Sequence, residues 1–362
     1  VGQPHRVGII GVGFISGQYL TTLASQSSVR IVAVADLNAE RAAEVAAGIE
    51  GARALSVAEL LADPEVETVL NLTIPGAHAE IALAALDAGK NVYGEKPLAV
   101  TLDDGRRIIE RADAVGRHVG SAPDTVLGTG IQTARKAIDD GLIGRPLAAI
   151  ATWVAPGHER WHPNPDFYYQ PGGGPVLDMG PYYVHSLLQL LGPVTAVVGL
   201  SSRSRDERAI GSGPREGEVF PVAVQTHLAG ALQHAGGAIS TVTVSFDSVR
   251  TTAAPIEVHG ESGSLSVPDP NNFDGGTAVF RLGADEWETL PTSAGYVDSG
   301  RGVGLVDFAA GHGRASGAIG LHALEIMTGL LAAAESGTRV EIASTFETPA
   351  LVPLTPAEEW RA

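Results

Sequence analysis

The chain has 362 residues, long enough for two domains with sizeable cores. Its 44% apolar content excludes an intrinsically disordered chain, and a formal charge of −17 repels phosphate backbones, which argues against nucleic acid as a partner. With no cysteine, disulfides, thiolate nucleophiles and cysteine-ligated zinc are all excluded.

No run reaches the ~18 apolar residues of a membrane helix. The most apolar stretch, residues 318–334, carries His322 and Glu325 and reads as a core-facing helix. No signal-peptide pattern opens the chain, so the cytoplasm is the expected compartment; the first residue is Val1 rather than Met, which leaves a removed leader open. Only three lysines occur (Lys90, Lys96 and Lys136), so a lysine at a chemically interesting position is worth weighing.

The first third alternates short apolar runs with helical patterns, the signature of βαβ units. Strands are expected over 6–10, 29–35, 68–72, 91–93 and 118–121, with helices to residue 24 and over 39–48, 57–61, 77–88 and 102–115. Residues 5–124 therefore read as one Rossmann domain with a doubly wound parallel sheet. Gly11-Val12-Gly13-Phe14-Ile15-Ser16 follows a strand and opens a helix. Gly11 permits the tight turn, and Gly13 lets the backbone approach a pyrophosphate seated on the helix N-terminus. Ser16 replaces the third glycine and is still small. Asp36 ends the second strand, where a carboxylate accepts hydrogen bonds from ribose hydroxyls and repels a 2′-phosphate. NAD is the expected cofactor, and Arg41, one turn on, keeps NADP open.

Beyond residue 124 the rhythm changes. A helix over 130–140 and a strand over 147–154 precede a proline- and aromatic-rich loop, 156–175, and a helix over 175–191. Strands then follow one another over 194–200, 222–232, 238–246, 255–259 and 264–267, before a helix over 317–335. Strands in succession imply an α+β domain with a predominantly antiparallel open sheet, expected over 125–345, with 346–362 as a C-terminal tail. The mixed-charge run from Arg203 to Arg208 reads as a solvated loop, and the sequon Asn71-Leu72-Thr73 as chance on a buried strand.

Two segments resemble a known family. Ala88-Gly-Lys-Asn-Val-Tyr-Gly-Glu-Lys-Pro97 is similar to the Glu-Lys-Pro signature of the glucose–fructose oxidoreductase/inositol dehydrogenase (Gfo/Idh/MocA) family. Gly172-Gly-Gly-Pro-Val-Leu-Asp-Met-Gly180 resembles that family's glycine run leading into an Asp-x-Gly helix. The resemblance implies an NAD(P)-dependent oxidoreductase acting on sugars, polyols or their derivatives. It further implies an active site between the domains and a homo-oligomer, dimer or tetramer, formed through the outer face of the second sheet. Carried over residue by residue, it puts Lys96 beside nicotinamide and substrate hydroxyl, with Pro97 cis. It also places Phe14, Ile15, Leu37, Thr73, Ile74, Pro75, His78, Glu95 and Pro97 with Gly11, Gly13, Asp36, Arg41 and Lys96 around the cofactor. Asp178 matches the family's aspartate, but Tyr182 stands where the family's helix carries histidine. Residues 178, 182 and 185 fall on one helical face. Tyr182 can thus act with Lys96 as acid/base, Asp178 orients Lys96 or binds a substrate hydroxyl, and His185 is a candidate relay or substitute base.

His158-Glu159-Arg160-Trp161-His162 matches the zincin pattern literally. Pro163 follows at once and disfavours a helical His162, and no third ligand is evident, so no metal is expected. The loop reads better as a rigid carrier of Trp161, His162 and Tyr169 over a sugar, whose C–H faces suit aromatic platforms, or as a surface loop with its rings tucked inward. Two other activities share the fingerprint: a redox-neutral, NAD-dependent glycosidase and a non-catalytic dinucleotide-sensing regulator.

Overall fold

Strand-length runs of Val, Ile and Ala separated by amphipathic helices bury both faces only in a parallel sheet covered on two sides. The N-terminal residues build such a sheet. β1 (His5–Ile10), β2 (Val29–Ala35), β3 (Arg53–Ala54), β4 (Thr68–Asn71), β5 (Asn91–Gly94) and β6 (Val119–Ser121) are arranged β3-β2-β1-β4-β5-β6. Every pairing is parallel. The connecting helices are α1 (Ser16–Leu23), α2 (Ala39–Ala47), α3 (Val57–Ala62), α4 (His78–Asp87) and α5 (Leu102–Val115). Local chemistry sets their ends. Asn38 caps α2, Ser56 and Glu59 cap α3 reciprocally, and Thr101 opens α5. Strand order reverses between β1 and β4, and α/β sheets bind ligands outside the strand carboxyl ends at such a switch point.

The structure, a computed structural model, describes residues 3–362. It divides into two units, one holding residues up to Gln132 with Ser293–Leu324 and Pro349–Ala362, the other Thr133–Thr292 with Glu325–Thr348. After α6 (Thr129–Asp139) comes β7 (Pro146–Val154), and then two helices, α7 (Gly174–Asp178) and α8 (Gly180–Leu191). The single helix expected over 175–191 is thus interrupted at Met179. Pro181 has no N–H to give the carbonyl of Leu177, so the ladder restarts, with Tyr182 N–H on the Met179 carbonyl at 3.2 Å.

The second unit's large sheet is mixed. It contains β8 (Val194–Ser202), while β9 (Glu207–Ala209), which begins in the Arg203–Arg208 run expected as a solvated loop, pairs with β10 (Val219–Pro221) as a separate ribbon. The other members are β11 (His227–His234), β12 (Ile239–Ser245), β13 (Ile256–Gly260), β14 (Gly263–Val267), β15 (Ala278–Arg281), β16 (Glu288–Thr289) and β17 (Val340–Glu341). Their order is β16-β15-β14-β13-β7-β12-β11-β8-β17, and only the β7–β12 pairing is parallel. The expected strand 222–232 begins instead at His227, after β10. One face of the sheet is covered by α7 and α8, and α8 is buried from Gly180 to Leu190.

Two further helices, α9 (Val303–Ala309) and α10 (Gly317–Ser336), lie between β16 and β17. α10 is long and apolar enough to cross a membrane, but Ile319, Leu324, Ile326, Met327 and Leu330 are all buried within the protein, as are His322 and Glu325. The division into units departs from the expected 125–345 domain and separate tail, because 293–324 and 349–362 return to the nucleotide-binding unit. Hydrogen bonds show why. Val352 N–H donates to the Gln132 amide oxygen at 2.9 Å and Trp360 Nε1 to the Val297 carbonyl at 2.8 Å. Asp124, just after β6, is 1% exposed and accepts the N–H of Gly302 at 2.7 Å and of Gly304 at 3.0 Å at the start of α9.

Burial raises the Asp124 carboxyl to about 6, against the pull of those two N–H groups. A folded value above the unfolded one gives stability that is present at low pH and lost as pH rises through about 6. Asp124→Asn keeps an oxygen acceptor without the charge. It should therefore unfold at higher temperature than the wild type at pH 7.5, by up to about 3 kcal/mol, with the gain vanishing towards pH 4. A difference that does not change between pH 4 and 7.5 in thermal melts contradicts this account.

Candidate functional site

In the first unit the glycine turn after β1 is shaped for a ligand backbone. Gly11 has φ of +92°, and a Cβ there would lie 2.8 Å from the backbone of Leu72 and Thr73. A Cβ on Gly13 would meet nothing within 4 Å, so the space above the turn is open to a pyrophosphate. Asp36 is held by two main-chain donors, Val12 N–H at 2.8 Å and Asn38 N–H at 2.9 Å. Val12, Gly13, Phe14, Gly17, Asp36, Asn38 and Arg41 line a pocket of about 560 Å³. Arg41 engages Glu44 at 2.7 Å and points Nε at the Val12 carbonyl. Phe14, Leu37 and Ile74, after β1, β2 and β4, are large apolar side chains left exposed at the sheet's carboxyl edge. Flat, partly apolar rings of a bound dinucleotide would cover such side chains. These residues fit NAD.

Other residues expected at the cofactor are also tied into the fold. The Glu95 carboxylate is buried, accepting the Tyr19 hydroxyl at 2.7 Å and the Lys96 N–H at 2.9 Å, so it ties α1 to the Glu-Lys-Pro turn. Burial, followed by the charge of Glu95, holds the Tyr19 phenol well above its ordinary range and keeps it a donor. His78 is buried with Nδ1 2.7 Å from the Pro97 carbonyl and Nε2 3.0 Å from that of Thr73. Burial lowers its affinity for a second proton, so the neutral ring gives one N–H and can satisfy only one carbonyl at a time. His78 thus sits buried between the Thr73 loop and the Pro97 turn, bonded to one carbonyl and close to the other. Asn71, 1% exposed, donates to the His78 carbonyl and accepts the Thr73 hydroxyl, so its sequon is interior. The Lys96–Pro97 peptide is cis, and Lys96 is half-buried.

In the second unit, the aromatic loop approaches the end of α7. His158 Nε2 lies 2.8 Å from Asp178 Oδ2, and His158 Nδ1 accepts from Trp161 Nε1 at 3.2 Å. The imidazole is 7% exposed and ringed by Trp153, Trp161, Tyr168 and Phe246, with centroids 4.6–5.8 Å away. His158 was not expected as a partner for Asp178. Tyr182 and His185 sit on α8, past the break at Met179, and both are buried. His185 directs Nδ1 at the Pro181 carbonyl of its own helix at 2.8 Å. The missed signal was a histidine in an aromatic loop of a chain lacking one at position 182.

The zincin-like pattern forms a single 3₁₀ turn, His158–Arg160, whose side chains diverge. Glu159 binds Arg208 at 2.7 Å and accepts the Tyr169 hydroxyl in a short contact. His162 Nδ1 accepts Asn164 N–H at 3.0 Å. Arg208, expected in solvent, is buried and also meets Asp247, which accepts Thr226 Oγ1 at 2.6 Å. Tyr169, expected to face substrate, is wholly buried between Phe220 and Phe246. Burial, then the bond to Glu159, raises its phenol well above the ordinary range. Gly157, at φ +108°, leaves room for Glu159 and Arg208 that a Cβ would fill. Trp161 and Phe167 remain 58% and 49% exposed, with Tyr168 and His162 between them.

Known proteins show the same two parts. Residues 5–122 match the model of the oxidoreductase family with an NAD-binding Rossmann fold, and 131–266 match the GFO/IDH/MocA C-terminal domain. A 1,5-anhydro-D-fructose reductase from Ensifer adhaerens is 31% identical over 266 residues, 72% of this chain and 75% of that protein. The chain belongs to the GFO/IDH/MocA family. Inositol 2-dehydrogenase 3 from Saccharopolyspora erythraea is 39% identical over 147 residues, 40% of this chain and 43% of that protein. A levoglucosan dehydrogenase solved with NADH has a TM-score of 0.79 at 23% identity, over 94% of this chain and all of that one, a likeness of fold. As a member of this family, the protein is an NAD-binding oxidoreductase.

Two expectations follow for this member. Asp36→Ser would remove the carboxylate that repels a 2′-phosphate in the pocket that Arg41 also lines, so the NAD-over-NADP preference in binding should fall at least about tenfold, read by cofactor titration. Arg208→Met strands the carboxylates of Glu159 and Asp247 and should lower stability by about 3–5 kcal/mol in denaturant unfolding.

Proposed function

We propose that this oxidoreductase transfers hydride between NAD and a carbinol carbon of a sugar, polyol or close derivative. The observation that carries the substrate class is the hydrogen-bonded Asp178–His158 pair beside exposed aromatic rings. Oxidising an alcohol requires a group that accepts its hydroxyl proton, and sugars offer apolar C–H faces that stack on Trp161 and Phe167. The names of the relatives agree, since all three act on cyclic polyhydroxylated compounds or their anhydro forms. When bound, the nicotinamide supplies the hydride acceptor. The chain's own residues do the rest. The glycine turn and Asp36 hold the dinucleotide. Lys96 stabilises negative charge on the reacting oxygen, and the pair at Asp178 accepts the proton.

The reading extends to a cytoplasmic homo-oligomer, dimer or tetramer. Its support is the second sheet's outer face, where Ile150, Val198, Leu200 and Ile239 are exposed.

The decisive assay mixes the protein with NAD+ and a panel of sugars and polyols and follows absorbance of the reduced cofactor. Turnover on at least one is expected. Release of free sugar from an aryl glycoside without net NADH selects the redox-neutral glycosidase instead, and tight NAD binding without turnover selects a sensor. Lys96→Ala should cost at least ~100-fold in kcat while leaving NAD affinity within about threefold. Unchanged turnover removes the lysine from the reaction.

A further inference from the structure

We propose that His158 is the general base of this reaction, that Nδ1 is its accepting atom, and that Trp161 caps that atom until substrate displaces it. The inference rests on the alcohol-oxidation reading above. Its starting point is hydrogen-bond polarity. An indole Nε1 can only donate, so His158 Nδ1, 3.2 Å away, must present a lone pair. The proton of the neutral ring then sits on Nε2 and is donated to Asp178 Oδ2 at 2.8 Å. An imidazole whose one nitrogen is held by a carboxylate and whose other nitrogen carries an available lone pair is the arrangement that takes protons from hydroxyl groups.

The surroundings leave this ring suited to the task. Asp178 faces it from α7. Glu159, next in sequence, has its charge matched by Arg208, and the Tyr169 hydroxyl accepts the His158 backbone N–H while donating to Glu159. His162 lies across Trp161 and Tyr168, and burial lowers its own proton affinity. The sheet offers Trp153 and Phe246, neither charged. One carboxylate therefore governs the imidazole. Trp161 is 58% exposed where His158 is 7%, so the indole can swing away without disturbing the pair.

In the step itself, the substrate O–H proton moves to His158 Nδ1 and the O–H electron pair becomes the second bond of the C=O group. The carbinol C–H pair leaves as hydride, reducing NAD+ to NADH. Asp178 is a positioning residue that stabilises the imidazolium, which afterwards returns its proton to water.

Three measurements test the proposal. In cofactor-free protein labelled with ¹⁵N-histidine, His158 should show an unprotonated Nδ1 and a protonated Nε2, and the opposite tautomer overturns it. His158→Gln retains an N–H for Asp178 but accepts no proton, so kcat should fall at least ~100-fold with KM within about threefold. Unchanged kcat overturns the proposal. Trp161→Phe, a surface change that keeps a ring and removes the N–H, leaves the lone pair uncapped and more ready to take a proton. The acid limb of kcat/KM should move up by about 0.7 pH unit, and a limb that stays put overturns the role of Trp161. If His158→Gln fails to fold, the tautomer and Trp161→Phe still decide. If the wild type oxidises no sugar or polyol, the substrate reading fails while the tautomer remains a separate result.

Discussion

A carboxylate withdrawn from water must find donors, and this constraint organises the functional parts of the molecule. The chain is strongly acidic overall, yet Glu95, Asp124 and Glu159 are buried and Asp178 is nearly so. Each one fastens a loop to a scaffold. Glu95 takes Tyr19 and the Lys96 N–H, fixing the turn that carries the lysine. Asp124 takes two N–H groups at the start of α9. Glu159 takes Arg208 and Tyr169, anchoring the aromatic loop, and Asp178 takes His158 from that same loop. The loops are irregular in backbone but not free in position.

The glycine turn after β1 and the carboxylate that ends β2 were legible in the sequence, for a physical reason. The turn is made by main-chain atoms and small residues, so glycine spacing and one carboxylate at a strand end describe these features almost completely. Strands β1, β2, β4 and β5 could be read because covered parallel strands are continuous apolar runs. β9, β10, β15 and β16 escaped notice, being two to four residues long and set in polar sequence. The break before α8 was readable in principle, since Pro181 removes a donor.

What the sequence concealed lies in side-chain pairs formed between distant elements. Arg208 looks solvated in a run of alternating charge, and its pairing with Glu159, 49 residues away, and with Asp247 explains its burial. Tyr168 and Tyr169 are adjacent, but their rings part, one into the rim around His158 and the other into the core beside Phe220. His158 and Asp178 are 20 residues apart on a loop and a helix end, a spacing without periodic signature.

This contrast between the two units bears on how substrate selectivity is stored. The dinucleotide cradle depends on backbone shape and tolerates little change. The substrate side keeps Asp178 at the end of α7 but draws its imidazole from a separate loop, so the aspartate's partner is set by how that loop is anchored. Glu159 and Arg208 fix the anchor from behind, leaving Trp161 and Phe167 open in front. The outward positions can therefore vary without disturbing the Asp178–His158 bond, whereas a change at Glu159 or Arg208 moves the base itself.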